Sequence, residues 1–293
     1  MTMKIRSKPN LTSYLYILPM LIICGIYLFY SLGFVAYTSL TNWDTGKNMK
    51  FIGLENYSDL FTDALFWNAL KNTGVYFVFC LFFQISLGML LAVLVRSKIR
   101  GSNIVKSLVF MPYVMSTVII AAMFRIMMDM NFGDFNAALS FFGIANVNWL
   151  GTPHFAMMSL VMVAIFQFTG FHMVLYIGGL SNIPDEIFES GRIDGAGSIT
   201  MFFRITVPML LGTIMTSLVF GIIGALKTFD QVFLLTGGGP GNSTELLSSF
   251  LYRQFLGNYK GGYASSIGIV MLLIGLVLSI VQIRLYNKNR VEL

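Results

Sequence analysis

Residues 155–180, FAMMSLVMVAIFQFTGFHMVLYIGGL, contain no Asp, Glu, Lys or Arg and are long enough to cross a membrane as one helix. A helix needs about 20 mainly apolar residues to cross a hydrocarbon core that is about 30 Å thick. Transmembrane strands would instead be segments of about ten residues with alternating polarity, which the sequence lacks. Five further stretches are similarly apolar, so the sequence predicts an all-α, polytopic membrane protein with six transmembrane helices. These helices are predicted at Tyr14–Ser39, Thr73–Val95, Ile104–Met128, Phe155–Leu180, Ile205–Phe229 and Tyr263–Tyr286.

The composition of the whole chain also indicates a membrane protein. Of its 293 residues, 56% are hydrophobic and only 11% are charged, whereas a soluble domain carries about 25% charged residues. Because so few charges cannot cover a water-soluble surface, the composition argues against a soluble enzyme, a secreted disulfide scaffold and a nucleic-acid-binding protein. Cys24 and Cys80 lie inside apolar runs, without the close spacing and polar partners of a metal or redox site.

The Lys and Arg residues of the loops predict the orientation in the membrane, because cytoplasmic loops carry an excess of these residues. The N-terminal tail and the connection between the second and third helices carry Lys and Arg without acids. Residues 129–154 contain no Lys and no Arg. Both termini are therefore predicted to be cytoplasmic. The resulting segments are a cytoplasmic tail (1–13), the first helix (14–40), an external loop (41–72), a five-helix core (73–286) and a second cytoplasmic tail (287–293).

Residues 181–208, SNIPDEIFESGRIDGAGSITMFFRITVP, connect the fourth and fifth predicted helices. Pro184 suits a first helical position, the acids after it favour a helix N-terminus, and Gly195 suits a C-terminal stop. This segment therefore predicts a short helix that is too short and too polar to cross the membrane. We expect apolar residues to dock it and charged residues to stay available for other contacts; these are Ile187, Phe188 and Ile193, and Glu189 and Arg192. From these residues alone, an ordinary amphipathic helix at the membrane interface is as good an explanation as a helix that binds a partner.

The same connection resembles the EAA loop of binding-protein-dependent ABC importers. That pattern is Glu-Ala-Ala, three residues, Gly, nine residues and then Ile-x-Leu-Pro. Every gap is matched here by Glu189-Ser190-Gly191, Gly195 and Ile205-x-Val207-Pro208. Ser190 and Gly191 replace the two alanines, so the side chains stay small enough for close docking. The resemblance implies that this short helix couples the chain to an ATPase through Asp185, Glu186, Glu189, Ser190, Gly191, Arg192, Asp194 and Gly195.

A second stretch resembles the carbohydrate-uptake permeases that are similar to the maltose importer. It reads FDQVFLLTGGGPGNST at residues 229–244 and is followed by Tyr252-Arg253-Gln254. Met111-Pro112-Tyr113 and Trp149-Leu150 fit the same group. The resemblance covers nearly the whole chain and implies a permease subunit in the cytoplasmic membrane of a bacterium. It would import an oligosaccharide or related sugar by alternating access.

The resemblance also implies partners. They are a second, similar permease that forms a heterodimer with this chain, two ATPase subunits, an extracytoplasmic sugar-binding protein, the sugar substrate and membrane lipid. Nucleic acid is not among them. ATP and Mg would be bound by the ATPase subunits, so this chain would hold no cofactor or metal and no catalytic residue. Consistent with this, the glycines at 237–239 are followed by Pro240, whereas a Walker loop needs Lys and Ser/Thr after its last glycine. A tight external turn is the expected structure there.

Polar side chains inside predicted membrane helices are candidates for the substrate pathway, because such groups usually face the interior of the bundle. Tyr113 and Thr117 are one turn apart and are predicted to share a face of the third helix, which Pro112 bends. The pathway candidates from this reasoning are Tyr113, Ser116, Thr117, Gln167 and Thr228, and the family resemblance described next adds Phe168 and Phe171. For each polar candidate, an ordinary interhelical hydrogen bond is the alternative role.

The resemblance to maltose-type permeases supports part of this set. The positions that match sugar-contacting side chains of that family are Tyr113, Thr117, Ala164, Phe168, Phe171, Gly221, Ala225 and Thr228. Ala164, Gly221 and Ala225 lack polar side chains. This departure argues against maltose itself, or moves recognition to the partner subunit.

Three other functions remain as alternatives. The importer could carry a non-sugar solute such as a polyol or glycerol phosphate. An ion-coupled secondary transporter would need intramembrane acids and inverted repeats, but every Asp and Glu falls outside the predicted helix cores. A membrane-embedded enzyme is weaker still, because no cluster of His, acids or Cys occurs on any pair of helices.

Overall fold

The computed structural model describes residues 11–46, 49–96 and 101–288. Within these ranges the regular secondary structure is helical, and strand-like pairing is confined to one isolated bridge between Thr41 and Phe51, which confirms the all-α prediction. Residues 1–10 and 289–293, which carry most of the tail charges that predicted the location of the termini, lie outside the described residues. The helices are α1 (Leu11–Thr38), α2 (Glu55–Thr62), α3 (Ala64–Arg96), α4 (Ser102–Val114), α5 (Thr117–Met127), α6 (Asp134–Phe141), α7 (Pro153–Ser181), α8 (Asp185–Ile193), α9 (Ser198–Met201), α10 (Val207–Met209), α11 (Leu211–Lys227), α12 (Asp230–Leu235), α13 (Leu247–Tyr252) and α14 (Gly261–Lys288).

Four continuous helices, α1, α3, α7 and α14, are long and apolar enough to cross a membrane. They account for four of the six predicted spans. α3 begins at Ala64 rather than at Thr73. The prediction began too late because residues 64–72 are too polar to be recognised as part of a membrane span by hydropathy. The predicted external loop 41–72 therefore contains α2 and the first two turns of α3. The other two predicted spans are each a bent pair of helices.

The third predicted span is broken into α4 and α5, which meet at an angle of 98°. The backbone is extended at Met115 (ψ 149°) and Ser116 (ψ 132°), so the helical period is interrupted there. The prediction that Tyr113 and Thr117 share one helical face is therefore wrong. Pro112 lies inside α4, and the break follows it rather than coinciding with it.

The fifth predicted span is also bent. The segment Ser198–Met209 meets α11 at 68°, and it contains a π-helical turn at Phe202–Thr206 between α9 and α10. The straight helix therefore begins at Leu211, several residues after the predicted start at Ile205. It ends at Lys227, and the next residue, Thr228, has an extended backbone.

The chain divides into two compact units, and the first comprises Met1–Thr62 and Arg253–Val270. Buried polar groups hold its described part together. The side-chain amide of Asn56 donates to the carbonyl oxygens of Ser39 and Thr41, each at 2.8 Å. The hydroxyls of Ser39 and Tyr57 lie 2.8 Å apart. These bonds connect the end of α1 to α2.

The second unit comprises Asp63–Tyr252 and Met271–Leu293, and α7 lies at its centre. α7 packs against α3, α4, α5, α11 and α12. Two clusters of buried apolar side chains follow its length, one around Leu160 and Ala164 and the other around Met173 and Tyr176. Small residues permit the closest approaches, as is usual between membrane helices. A Cβ on Gly170 would lie 2.8 Å from the Cα of Phe110 and would collide with the carbonyl oxygen of Val109.

We therefore predict that Gly170→Ala forces α7 away from α4 and destabilises the protein by about 1–3 kcal/mol, the usual cost of overpacking. Thermal unfolding of the detergent-purified protein would measure the loss. Gly178→Ala is the matched control on the same helix, because a Cβ there would meet nothing within 4 Å. Equal unfolding midpoints for the two variants would contradict the close packing.

Candidate functional site

A cavity of about 200 Å³ lies inside the second unit, between α3, α4, α7 and α11. Aromatic and apolar side chains make up most of its wall, and a few polar side chains interrupt them. Its lining residues are Tyr76, Phe77, Cys80, Leu81, Gln84, Tyr113, Phe168, Phe171, His172, Phe220, Gly221, Gly224, Ala225 and Thr228. An apolar cavity with a few placed polar groups is the usual form of a small-molecule site.

One wall of the cavity is aromatic. The rings of Tyr113 on α4 and Phe171 on α7 are stacked, with centroids 5.0 Å apart. Phe168 and Phe220 meet this pair edge-on, Phe168 at 6.2 Å from Tyr113 and Phe220 at 5.2 Å from Phe171. Since each ring is held by a neighbour, the wall offers preformed flat faces to a ligand.

From the cavity-lining Tyr76, polar side chains form a hydrogen-bonded relay across four elements. The Tyr76 hydroxyl on α3 donates to Oε1 of Gln231 on α12 at 3.3 Å, and it lies 3.4 Å from Oγ1 of Thr228. Nε2 of Gln231 donates to Oε1 of Gln167 at 2.7 Å. Nε2 of Gln167 then donates to Oγ1 of Thr117 at 3.0 Å. We call Thr117, Gln167, Gln231 and Tyr76 the amide relay; both of its glutamines are buried.

The structure separates the predicted pathway residues into two groups. Tyr113, Phe168, Phe171 and Thr228 line the cavity. Thr117 and Gln167 lie in the amide relay, and Ser116 lies at the break between α4 and α5. Of the three apolar positions noted in the sequence, Gly221 and Ala225 line the cavity, whereas Ala164 is buried outside its lining. Contact between any of these residues and a substrate stays a prediction.

Sequence reasoning missed the contribution of α3. Tyr76, Cys80 and Gln84 all line the cavity, and their spacing of four residues places them on one helical face. The sequence signal that could have identified this face is a tyrosine and a glutamine eight residues apart in an otherwise apolar helix. Gln231 was also missed, because it follows the predicted end of the fifth span in a separate short helix.

The glycine-rich stretch at residues 237–241 forms a tight turn, as expected. Gly237, Gly238 and Gly241 have positive φ values of 61°, 85° and 58°, which favour glycine. The turn is attached to the first turns of α3, because the side-chain amides of Asn68 and Asn72 donate to the carbonyl oxygen of Asn242 at 2.8 and 3.0 Å. Much of the segment after it is buried, including Thr244 and Leu246.

The predicted short helix is present as α8, and its inner side is attached to the helix bundle. Arg96 at the end of α3 donates to Oδ1 of Asp185 at 2.7 Å, and its guanidinium lies 4.3 Å from the centre of the Phe188 ring. Ile187 and Phe188 pack against the cluster around Met173, as predicted. Gly191 is buried, and a Cβ there would lie 2.8 Å from Cδ1 of Ile205.

The outer side of α8 remains open. Ile193 is 85% exposed rather than docked, so the expectation for this residue is wrong: its side chain points away from the bundle. Glu189 and Arg192 are exposed, and their side chains make no hydrogen bond or ion pair with the described part of the chain. Gly195 has a φ of 79° and follows the helix, as its predicted role as a stop requires. α8 therefore presents one attached side and one free side.

The comparisons with known proteins agree on one family. A family model described as binding-protein-dependent transport system inner membrane component matches residues 84–291. The chain is 35% identical to the probable ABC transporter permease protein YurN of Bacillus subtilis, over 98% of this chain and 99% of that protein. It is 30% identical to the trehalose/maltose transport system permease protein MalF of Thermococcus litoralis, over 99% and 98%.

The fold also resembles a solved structure. A chain of a bacterial alginate ABC transporter, crystallised in complex with an alginate pentasaccharide-bound periplasmic protein, superposes with a TM-score of 0.84. The two chains share 24% sequence identity, and the match covers 94% of each. At this identity the likeness establishes the fold.

The amide relay leads to a stability prediction. Gln231→Leu leaves Oε1 of Gln167 without its donor and leaves the hydroxyl of Tyr76 with Thr228 as its remaining partner, and an unsatisfied buried group costs about 1–3 kcal/mol. We therefore expect a lower thermal unfolding midpoint in detergent. Adding Gln167→Leu removes the group that the first change left unpaired, so the double variant should lose less stability than the sum of the single variants. Additive losses would show that the two glutamines do not act together.

Proposed function

Because the chain belongs to the family of binding-protein-dependent transport system inner membrane components, we propose that it is a transmembrane subunit of an ABC importer for sugars. It is a multi-pass membrane protein and a permease subunit, and permease subunits are not themselves enzymes. This membership also argues against the ion-coupled and enzymatic alternatives. The single observation that carries the sugar assignment is the cavity with its aromatic wall.

The chemistry of that cavity suits a sugar. Sugar rings have apolar C–H faces, which pack on aromatic side chains, and hydroxyl groups, which need hydrogen-bonding partners. Tyr113 and Phe171 supply stacked faces, while Tyr76, Gln84 and Thr228 supply polar groups in the same lining. Among the described residues no Lys or Arg lines the cavity, which disfavours the alternative substrate glycerol phosphate. The names of three relatives support a sugar: trehalose/maltose, multiple sugar-binding and arabinooligosaccharides transport system permeases.

We propose that α8 couples the chain to ATPase subunits. In this proposal Glu189 and Arg192 on its free side contact an ATPase, together with Glu186, Ser190 and Asp194, and ATP and Mg are bound there rather than in this chain. Movement of α8 would reach the cavity through α3, because Arg96 holds Asp185 and Phe188 at one end of that helix and Gln84 lines the cavity further along it.

The remaining partners in the proposal follow from the family and from exposed apolar surface. None of the most apolar window of α1 is buried within the chain, so this helix must be covered by lipid or by the second permease subunit of a heterodimer. An extracytoplasmic sugar-binding protein would deliver the substrate to the outer face. In this arrangement both termini and α8 are cytoplasmic, and the membrane is the cytoplasmic membrane.

The proposed function predicts ATP-dependent uptake of sugars. Proteoliposomes that contain the assembled importer and its binding protein should accumulate at least one of radiolabelled trehalose, maltose and arabino-oligosaccharides when ATP is enclosed. Glu189→Lys should abolish uptake by reversing the charge at the proposed ATPase contact. Insertion and recovery of the permease heterodimer should be unchanged, because the exposed side chain of Glu189 makes no hydrogen bond or ion pair with the described part of this chain.

Two outcomes would contradict this proposal. No uptake of any sugar by the wild-type importer, together with uptake of a polyol in the same assay, would overturn the sugar assignment. Full uptake by the Glu189→Lys importer would overturn the proposed role of α8.

The proposed orientation can be tested by labelling. In a chain with Cys24→Ala and Cys80→Ala, single cysteines are introduced at Ala145 and at Ser198, both of which are exposed. An impermeant thiol reagent added to intact cells with a permeabilised outer layer should label the cysteine at position 145 only. Lysis should then allow labelling at position 198. The reverse pattern would invert the orientation.

A further inference from the structure

The face of α3 that lines the cavity includes one side chain with an unused hydrogen-bonding group. Gln84 is 5% exposed and lines the cavity. Its Nε2 donates to the backbone carbonyl oxygen of Ala164 on α7 at 3.1 Å. In the described part of the chain, its Oε1 accepts no hydrogen bond.

On this basis we infer that Gln84 determines sugar specificity, by accepting a hydrogen bond from one hydroxyl group of the transported sugar. The inference rests on the proposed function and deepens it. Neither the sequence motifs nor the matched family positions assigned a substrate contact to α3. Gln84 therefore adds a fourth helix to the three from which substrate contacts were expected.

The bond to Ala164 fixes which end of the amide faces a ligand. A backbone carbonyl oxygen can only accept, so the NH₂ end of Gln84 must point towards it. The carbonyl end is then the group that remains for the cavity. α3 and α7 pack closely at this level, with Gly88 against His172. If the amide of Gln84 rotated by 180°, its oxygen would face the carbonyl oxygen of Ala164 and the hydrogen bond would be lost. Oε1 of Gln84 is thus a preorganised acceptor.

Among the described residues that line the cavity, Gln84 supplies the one side-chain carbonyl oxygen. Gly221 and Ala225 carry no polar side chain, and the side chain of Leu81 occupies the space that a side chain at position 221 would need. The hydroxyls of Thr228 and Tyr76 donate within the chain, to the carbonyl oxygen of Gly224 at 2.8 Å and to Gln231 at 3.3 Å, and their lone pairs can also accept from a ligand. The Tyr113 hydroxyl can both donate and accept, so it does not demand a donor from the ligand.

A fixed acceptor discriminates strongly against a sugar that lacks the matching donor. A monodeoxy or mono-O-methyl analogue leaves Oε1 of Gln84 unpaired, and sites built to bind a hydroxyl reject such analogues because of that unpaired group. For a neutral hydrogen bond we expect a penalty of about three- to tenfold in uptake rate at one hydroxyl position. Without the acceptor, this penalty should disappear.

The experiment compares uptake of the sugar that the wild-type importer transports with uptake of its monodeoxy and mono-O-methyl analogues. Wild-type importer should transport the analogues altered at one hydroxyl position about three- to tenfold more slowly than the parent sugar. Gln84→Met, which keeps the length but removes both polar ends, should transport the parent and those analogues at equal rates. The ratio is the readout, since poor folding or low expression lowers both rates together and the binding protein is common to both importers.

Gln282→Met is the matched control. Gln282 is a buried glutamine on α14 that also donates through Nε2 to a backbone carbonyl oxygen, that of Met215, but it lies outside the cavity lining. This variant should keep the wild-type ratios. If Gln84→Met also keeps them, Gln84 is only a tie between α3 and α7 and the inference is wrong. If the wild-type importer transports no sugar, the proposed function fails first and the inference falls with it.

Discussion

At Gly88 the backbone of α3 lies so close to α7 that a Cβ there would be 2.8 Å from Cβ of His172. Inside a membrane no water is available to satisfy polar groups, so helices must satisfy them against one another. The close approach allows this: Gln84 reaches the carbonyl oxygen of Ala164, and Nδ1 of His172 lies 2.6 Å from the hydroxyl of Ser217 on α11. The cavity and the apolar clusters lie along this helix pair.

The same constraint explains why broken helices are tolerated. The extended backbone at Met115 and Ser116 begins a new helix at Thr117, and the side chain of Thr117 is held by Gln167 of the amide relay. The bent segment is therefore joined through Gln231 to Tyr76, which lines the cavity. A change in the angle between α4 and α5 would therefore move Tyr76 through these hydrogen bonds. It would also move Tyr113 on α4, and with it the aromatic wall. These contacts connect the break to the cavity.

α8 shows how one short helix separates a structural side from a binding side. Its inner residues, Asp185, Phe188 and Gly191, contact Arg96 and Ile205 of the same chain. Its outer residues, Glu189, Arg192 and Ile193, remain exposed. Nothing in the described part of the chain covers Ile193, which is 85% exposed. An outer side that carries an exposed apolar residue beside charged residues suits the protein partner proposed for α8.

The sequence by itself determined the fold class, the approximate number of spans and the short helix after the fourth span. Hydropathy and helix-terminus signals are local properties of the sequence, so they do not depend on what the chain packs against. It also placed Tyr113, Phe168, Phe171 and Thr228 among the pathway candidates, and these do line the cavity. Only the tertiary structure decided that α4 and α5 are separate helices, that Thr117 and Gln167 belong to a relay rather than to the lining, and that α3 contributes Tyr76 and Gln84. The physical reason is that a polar side chain in a membrane helix takes its role from the partner it meets on another helix, and no spacing within one helix identifies that partner.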